Sequence, residues 1–181
     1  MQRLMPLLLC ALLAGCAGTP VRTTAPAADL PMLRLAPSAL PGGMASQQRL
    51  VFDQGGRRDS IDAMVEVDTA GVRVVLHQQG QVLLRLDWDG DSLHEQRSAG
   101  LPDTLAGERV LTDLQLVHWP AAAIAAALPA GWRLASRQGH RELLQGGARV
   151  VAIDYPRDGE ALLHNERVGY RLSIHSMAVQ P

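Results

Sequence analysis

The chain has 181 residues, of which 47% are hydrophobic but only 3% aromatic, so any core must be built mainly from Leu, Val and Ala. A net charge of −1 and a pI near 6.6 exclude a surface that tracks phosphates, and with it nucleic acid as a partner. Its two cysteines, Cys10 and Cys16, are too few for a disulfide scaffold, and a chain of this length needs none to bury a core.

The Met1–Gly15 segment carries one positive charge at Arg3, then a short apolar run, then small residues. These are the proportions of a secretory signal, and the run is too short to span a bilayer, which takes about 20 apolar residues. Leu13-Ala14-Gly15-Cys16 resembles the lipobox. Residues 1–15 are therefore expected to be removed as a signal peptide. Cys16 is expected to become the first mature residue, carrying a covalent diacylglycerol and an N-acyl chain and needing no other cofactor. Each buried acyl methylene contributes about 0.8 kcal/mol, so each chain adds on the order of ten kcal/mol and the anchor holds. Cys10 leaves with the signal and acylation consumes Cys16, so no disulfide is expected in the mature chain. Ala17, where Asp usually marks inner-membrane retention, favours sorting to the outer membrane with the domain facing the periplasm.

From Cys16 to residue 47 the sequence holds Pro20, Pro26, Pro31, Pro37 and Pro41 with much Ala and Thr, and sustains neither period. It reads as an extended tether, with an average reach of roughly 30 Å for thirty flexible residues. Leu33, Leu35 and Leu40 leave that boundary soft, because they can dock. A domain is expected over residues 48–181. Arg49–Gln54 is a short strand bounded by Gly55-Gly56. Ile61–Asp68 alternates, with Ala63, Val65 and Val67 opposite Asp62, Met64 and Glu66. Val72, Val74 and Leu76 alternate likewise, as do Val82, Leu84, Leu86 and Trp88. Thr69-Ala70-Gly71 and Gln79-Gly80 suit hairpins, and Asp89-Gly90 turns the chain into a strand at Ser92–Gln96.

The middle of the chain changes period. Asp103 after Pro102 can cap a helix carrying Leu111, Leu114 and Val117 or His118 at helical spacing. Trp119-Pro120 breaks it, because a residue before proline avoids the helical region. Pro120 then opens a second helix at Ala121–Leu128, apolar all round and so expected to be buried or to cover something apolar. Strands resume at Trp132–Gln138, Arg141–Gln145, Arg149–Asp154, Ala161–Asn165 and Gly169–Met177. Tyr170, Leu172 and Ile174 lie opposite Arg171, Ser173 and His175. About ten strands around one helical insert define a mainly β class. The expected architecture is a curved antiparallel sheet, an unclosed barrel, covered by two or three helices.

Chemistry is sparse. His77, His94, His118, His140, His164 and His175 show none of the ligand spacings of a metal site. Ser60, Ser92, Ser136 and Ser173 lie in no nucleophile elbow. Asp87, Asp89 and Asp91 fit a solvated hairpin tip better than a calcium loop. Gly55-Gly56-Arg57-Arg58 has the residues to hold an anion, but basic loops are usually just solvated. No enzymatic chemistry is expected. The remaining signal is apolar: a core short of large aromatic fillers, under a curved sheet closed by helices, encloses volume that side chains need not fill.

Asp113-Leu114-Gln115-Leu116-Val117-His118-Trp119-Pro120, followed by Gly131-Trp132, Asn165 and Gly169-Tyr170-Arg171-Leu172, resembles a family of bacterial lipoproteins of unassigned function. The resemblance covers most of residues 48–177 and implies kinship with the periplasmic lipoprotein carrier LolA and its outer-membrane receptor LolB. Their fold is an unclosed antiparallel barrel lidded by helices around an acyl-chain cavity. The receptor's apolar membrane-inserting loop has no counterpart here, since the stretch around Arg57-Arg58-Asp59 is charged. The expected function is lipid binding by a monomeric lipoprotein held in the membrane by its anchor. Its ligand would be an acyl chain, a lipid or a lipidated partner, exchanged with a periplasmic carrier protein. Val65, Val67, Val74, Leu84, Leu86, Trp88, Leu111, Leu114, Trp119, Ile124, Leu128, Leu172 and Ile174 are the expected cavity residues. The alternatives are an interaction lipoprotein with a filled core and, last, an envelope-lipid hydrolase.

Overall fold

The computed structural model describes residues 30–99, 101 and 105–179. The signal peptide, Cys16, the tether up to residue 29 and the Pro102-Asp103 capping signal lie outside the described residues. Five strands come first: β1 (Met44–Gln54), β2 (Arg57–Val67), β3 (Val72–Gln78), β4 (Gln81–Trp88) and β5 (Leu93–Arg97). Two helices follow, α1 (Gly107–His118) and α2 (Ala121–Ala127). The chain ends in β6 (Trp132–Arg137), β7 (His140–Gln145), β8 (Ala148–Asp154), β9 (Glu160–Asn165) and β10 (Tyr170–Ala178). All ten strands form one antiparallel sheet in the order β5-β4-β3-β2-β1-β10-β9-β8-β7-β6. Each half is a meander, and β1 pairing with β10 joins the halves in register from Ser46↔Ala178 to Gln54↔Tyr170. Strands β5 and β6 are the two ends of that order, so the curved sheet does not close.

The expected class and the hairpin pattern are what the chain adopts. At the β3–β4 turn Gln79 has φ 51° and Gly80 φ 79°, the paired positive values of a tight hairpin whose twist matches its strands. One face of the sheet is apolar and buried: Ile61, Ala63, Val65 and Val67, then Val72, Val74 and Leu76, then Leu84, Leu86 and Trp88. Tyr170, Leu172 and Ile174 continue it on β10. The opposite face carries the exposed pairs Arg49–Asp62 at 2.8 Å and Arg73–Asp68 at 2.6 Å.

Strand β1 starts at Met44, ahead of both the expected strand and the expected domain boundary at residue 48. Gly43 is what lets it start there. Its φ is +64°, and an added Cβ would lie 2.4 Å from the Val67 carbonyl oxygen. Gly43→Ala is therefore expected to cost about 1–3 kcal/mol in denaturant unfolding.

Residues 30–36, expected within the tether, lie against the domain. Leu30, Leu33 and Leu35 are buried in its core, and the segment forms no strand. Its backbone is instead satisfied by side chains of α1 and its surroundings, as buried polar groups must be. Leu33 N donates to Thr112 Oγ1 at 3.3 Å and Leu35 N to Gln115 Oε1 at 3.1 Å. Gln115 Nε2 donates back to Leu35 O at 3.1 Å, and Trp88 Nε1 reaches the same oxygen at 2.8 Å. Trp119 Nε1 donates to Ala36 O at 3.1 Å.

Helix α1 is thereby held between sheet and strap. At about 100° per residue, Glu108, Thr112 and Gln115 form one stripe along the strap, while Val110, Asp113 and Leu114 turn the other way. This is why every residue from Leu111 to Val117 is buried although Thr112, Asp113 and Gln115 are polar. The helix starts at Gly107, four residues after Asp103, and Ala106 caps it without a side-chain bond. At its other end Arg141 Nη1 donates to the carbonyls of Leu116, Val117 and Trp119 at 2.8, 3.2 and 2.9 Å. A cation there satisfies the orphan acceptors of the last turn and opposes the helix dipole.

Helix α2 is not buried all round, the first of the two expectations for it; it rests on the core through Ile124. Ile124 is its only buried residue, and Ala122, Ala125, Ala126 and Ala127 are exposed. An alanine methyl presents too little apolar surface to force burial, so a seven-residue alanine helix needs only one anchor. Among the described residues no helix is long and apolar enough to cross a membrane.

Candidate functional site

The concave face of β1, β2, β3 and β10 meets α1 around a hollow. Of the residues expected there, Val65, Val74, Leu114, Leu172 and Ile174 line it. Val67, Leu84, Leu86, Trp88, Leu111, Trp119 and Ile124 are buried elsewhere in the core, and Leu128 is half-buried. Sequence reasoning missed Leu50, Phe52, Ala63, Leu76, Leu105 and Val110, and the two polar members, Gln48 and Asp113. Leu50 and Ala63 stood on readable strands. Gln48 had no apolar signal to mark it.

The hollow is partly open to solvent and its volume is about 40 Å³, room for a few waters. Sites that take a small organic ligand hold about 300–1,000 Å³, so the hollow as it stands admits no acyl chain. Aliphatic side chains from sheet and helix fill most of the space between them.

Polar groups bound the hollow on two sides. Asp113 Oδ2 accepts a hydrogen bond from the Tyr170 hydroxyl, and both residues are buried. Burial pushes the Asp113 carboxyl up to about 6, against the opposing pull of Tyr170 and Arg109. Burial, and then the Asp113 charge, push the Tyr170 hydroxyl upward. Asp113 Oδ1, Arg109 Nη1 and Asn165 Nδ2 are buried without a hydrogen-bond partner. On the other side Gln48 Nε2 stands 3.3 Å from Ser46 Oγ and 3.4 Å from His118 Nε2. Burial, helped by the Arg141 charge, lowers His118 to about 4, so its ring is neutral and Nε2 accepts from Gln48.

Beyond His118 an open polar groove of about 530 Å³ runs past Tyr155, Arg157, Asp158 and Glu160. Glu160 is engaged by Arg157 at 2.7 Å and faces His175 at 3.3 Å. Among the described residues no group of three or more His, Cys, Asp or Glu is placed to hold a metal ion. Asp89, in the acidic tip, accepts from the backbone N of Asp91 and Ser92 at 2.8 Å each, which makes it a turn residue.

Fold and site together define an unclosed antiparallel half-barrel with a helix strapped across its apolar face. The chain belongs to the family described as Protein of unknown function (DUF3261), which matches residues 45–178. No curated protein matches the chain significantly. Among solved structures, the complex of Pseudomonas aeruginosa MucA and MucB contains a chain 19% identical, with a TM-score of 0.35, over 82% of this chain and 56% of that one. A crystal structure of MucB in complex with MucA(peri) gives 19% identity and a TM-score of 0.34, over 82% and 55%. The chain thus spans little more than half the length of these proteins.

Proposed function

We propose that this protein is an outer-membrane lipoprotein, anchored through Cys16, that binds an acyl chain, a lipid or a lipidated partner beneath α1. On this reading it is a binding protein rather than an enzyme. The observation that carries it is the lining of the hollow: of its thirteen residues only Gln48 and Asp113 are polar. Burial of apolar ligand surface there would contribute at roughly 25 cal/mol per Å². The hollow has to widen for this, and on this reading α1 moves away from the sheet.

The small volume favours a second reading, an envelope interaction lipoprotein with a filled core that works through its surface. One experiment separates the two. The full mature chain carrying Cys16→Ser, which needs no detergent, is titrated with a fluorescent long-chain fatty acid. Saturable binding that Ile174→Phe weakens at least tenfold supports the hollow, since the larger ring occupies it at a folding cost of about 1–3 kcal/mol. No saturable binding, in this chain or in variants that loosen α1 from its surroundings, removes the lipid reading and leaves the second.

A further inference from the structure

The strap and the size of the hollow belong to one device. A ligand beneath α1 needs the helix to lift, and the helix is held down from outside by residues 30–36. Those residues carry no ladder hydrogen bonds; buried Leu30, Leu33 and Leu35 hold them, with side-chain bonds through Thr112, Gln115, Trp88 and Trp119. Thr112 and Gln115 lie on the side of α1 turned away from the hollow, so their bonds to the strap restrain the helix without touching a ligand. Segments that lack ladder bonds open at lower free energy than the sheet around them. The strap also continues toward Cys16, fourteen residues before Leu30.

We propose that residues 30–36 are a latch: docked on Thr112 and Gln115 they keep the hollow closed, and their release lets α1 lift and admit an acyl chain. This rests on the lipid-binding reading. The closed state would then lower the apparent affinity by the fraction of molecules that are open, a fraction that any change weakening the latch raises.

The test uses two variants that keep apolar burial while removing latch bonds, Gln115→Met and Thr112→Val, in the full mature chain with Cys16→Ser. Backbone exchange at Leu33 and Leu35 reports the latch, and the fluorescent long-chain fatty acid reports the hollow. The expected result is faster exchange at both positions and about tenfold tighter binding in Gln115→Met, with a smaller gain in Thr112→Val. Faster exchange with unchanged affinity overturns the latch and leaves the lipid site standing. Unchanged exchange in both variants overturns it too, because these bonds then do not hold the strap. No binding in the parent or either variant removes the lipid reading and the latch together.

Discussion

Tyr170→Phe is expected to remove about 2–3 kcal/mol of folding stability at pH 7.5, with little loss at pH 4. Phe keeps the ring, which packs 6.1 Å from Phe52, so the substitution isolates the hydroxyl. That hydroxyl is the one donor bonded to the buried Asp113 carboxyl, whose other oxygen has no partner. Without it an ionised carboxylate would sit buried with no hydrogen bond at all, among the costliest arrangements in a protein. At pH 4 the carboxyl is protonated and the loss shrinks to that of a neutral hydrogen bond. Urea unfolding at the two pH values measures the difference; equal losses at both would show that Asp113 carries no charge at pH 7.5.

The same pair sets a pH dependence of the parent protein. Asp113 titrates at about 6 in the folded chain against an ordinary 3.8. A raised folded value means the stabilising contribution is whole below pH 3.8 and is lost as pH rises through 6. Two units correspond to about 3 kcal/mol across that window. Asp113→Asn still accepts from Tyr170 and cannot ionise, so it should flatten this part of the profile. Asp113 thus lowers stability at neutral pH at the edge of the hollow, where burial outweighs the pull of Tyr170 and Arg109.

Hairpins were legible because alternation and turn residues agreed: Val72, Val74 and Leu76, then Gln79-Gly80, then Leu84, Leu86 and Trp88 all fell where the sequence placed them. The start of β1 was not legible. Ser46 and Gln48 point into the core yet are polar, so its first residues show no apolar period. Docking of Leu33 and Leu35 was open in the sequence, and the structure buries both, but what holds the strap there was not legible. A proline-rich run with scattered Leu resembles a tether, and its partners, Thr112 and Gln115, look like ordinary polar positions of a helix. The Asp113-Leu114-Gln115 run with Trp119-Pro120 stood out as a motif before any reason for it was visible. The structure supplies one: Asp113 meets β10, Gln115 meets the strap, and Trp119 meets the strap's end. The hollow's size could not be read at all, because it depends on how closely α1 packs onto the sheet.

Trp119→Ala is expected to be the most damaging single change, costing about 3–5 kcal/mol. For a domain of this size that lowers the melting temperature by about 10 °C. The residue before Pro120 is confined to extended backbone, and Trp119 has φ −70° and ψ 153°. That conformation ends α1 and leaves the indole entirely buried, its Nε1 donating to Ala36 O. Ala36 O also accepts from Ala39 N at 3.0 Å, so removing the indole N–H alone orphans nothing. Trp119→Phe should therefore cost only about 1 kcal/mol beyond its lost volume, far less than the alanine change. If the two substitutions cost the same, packing of the indole is not what holds the strap's end. The hydrogen bond to Ala36 would then be the stronger tie between strap and helix.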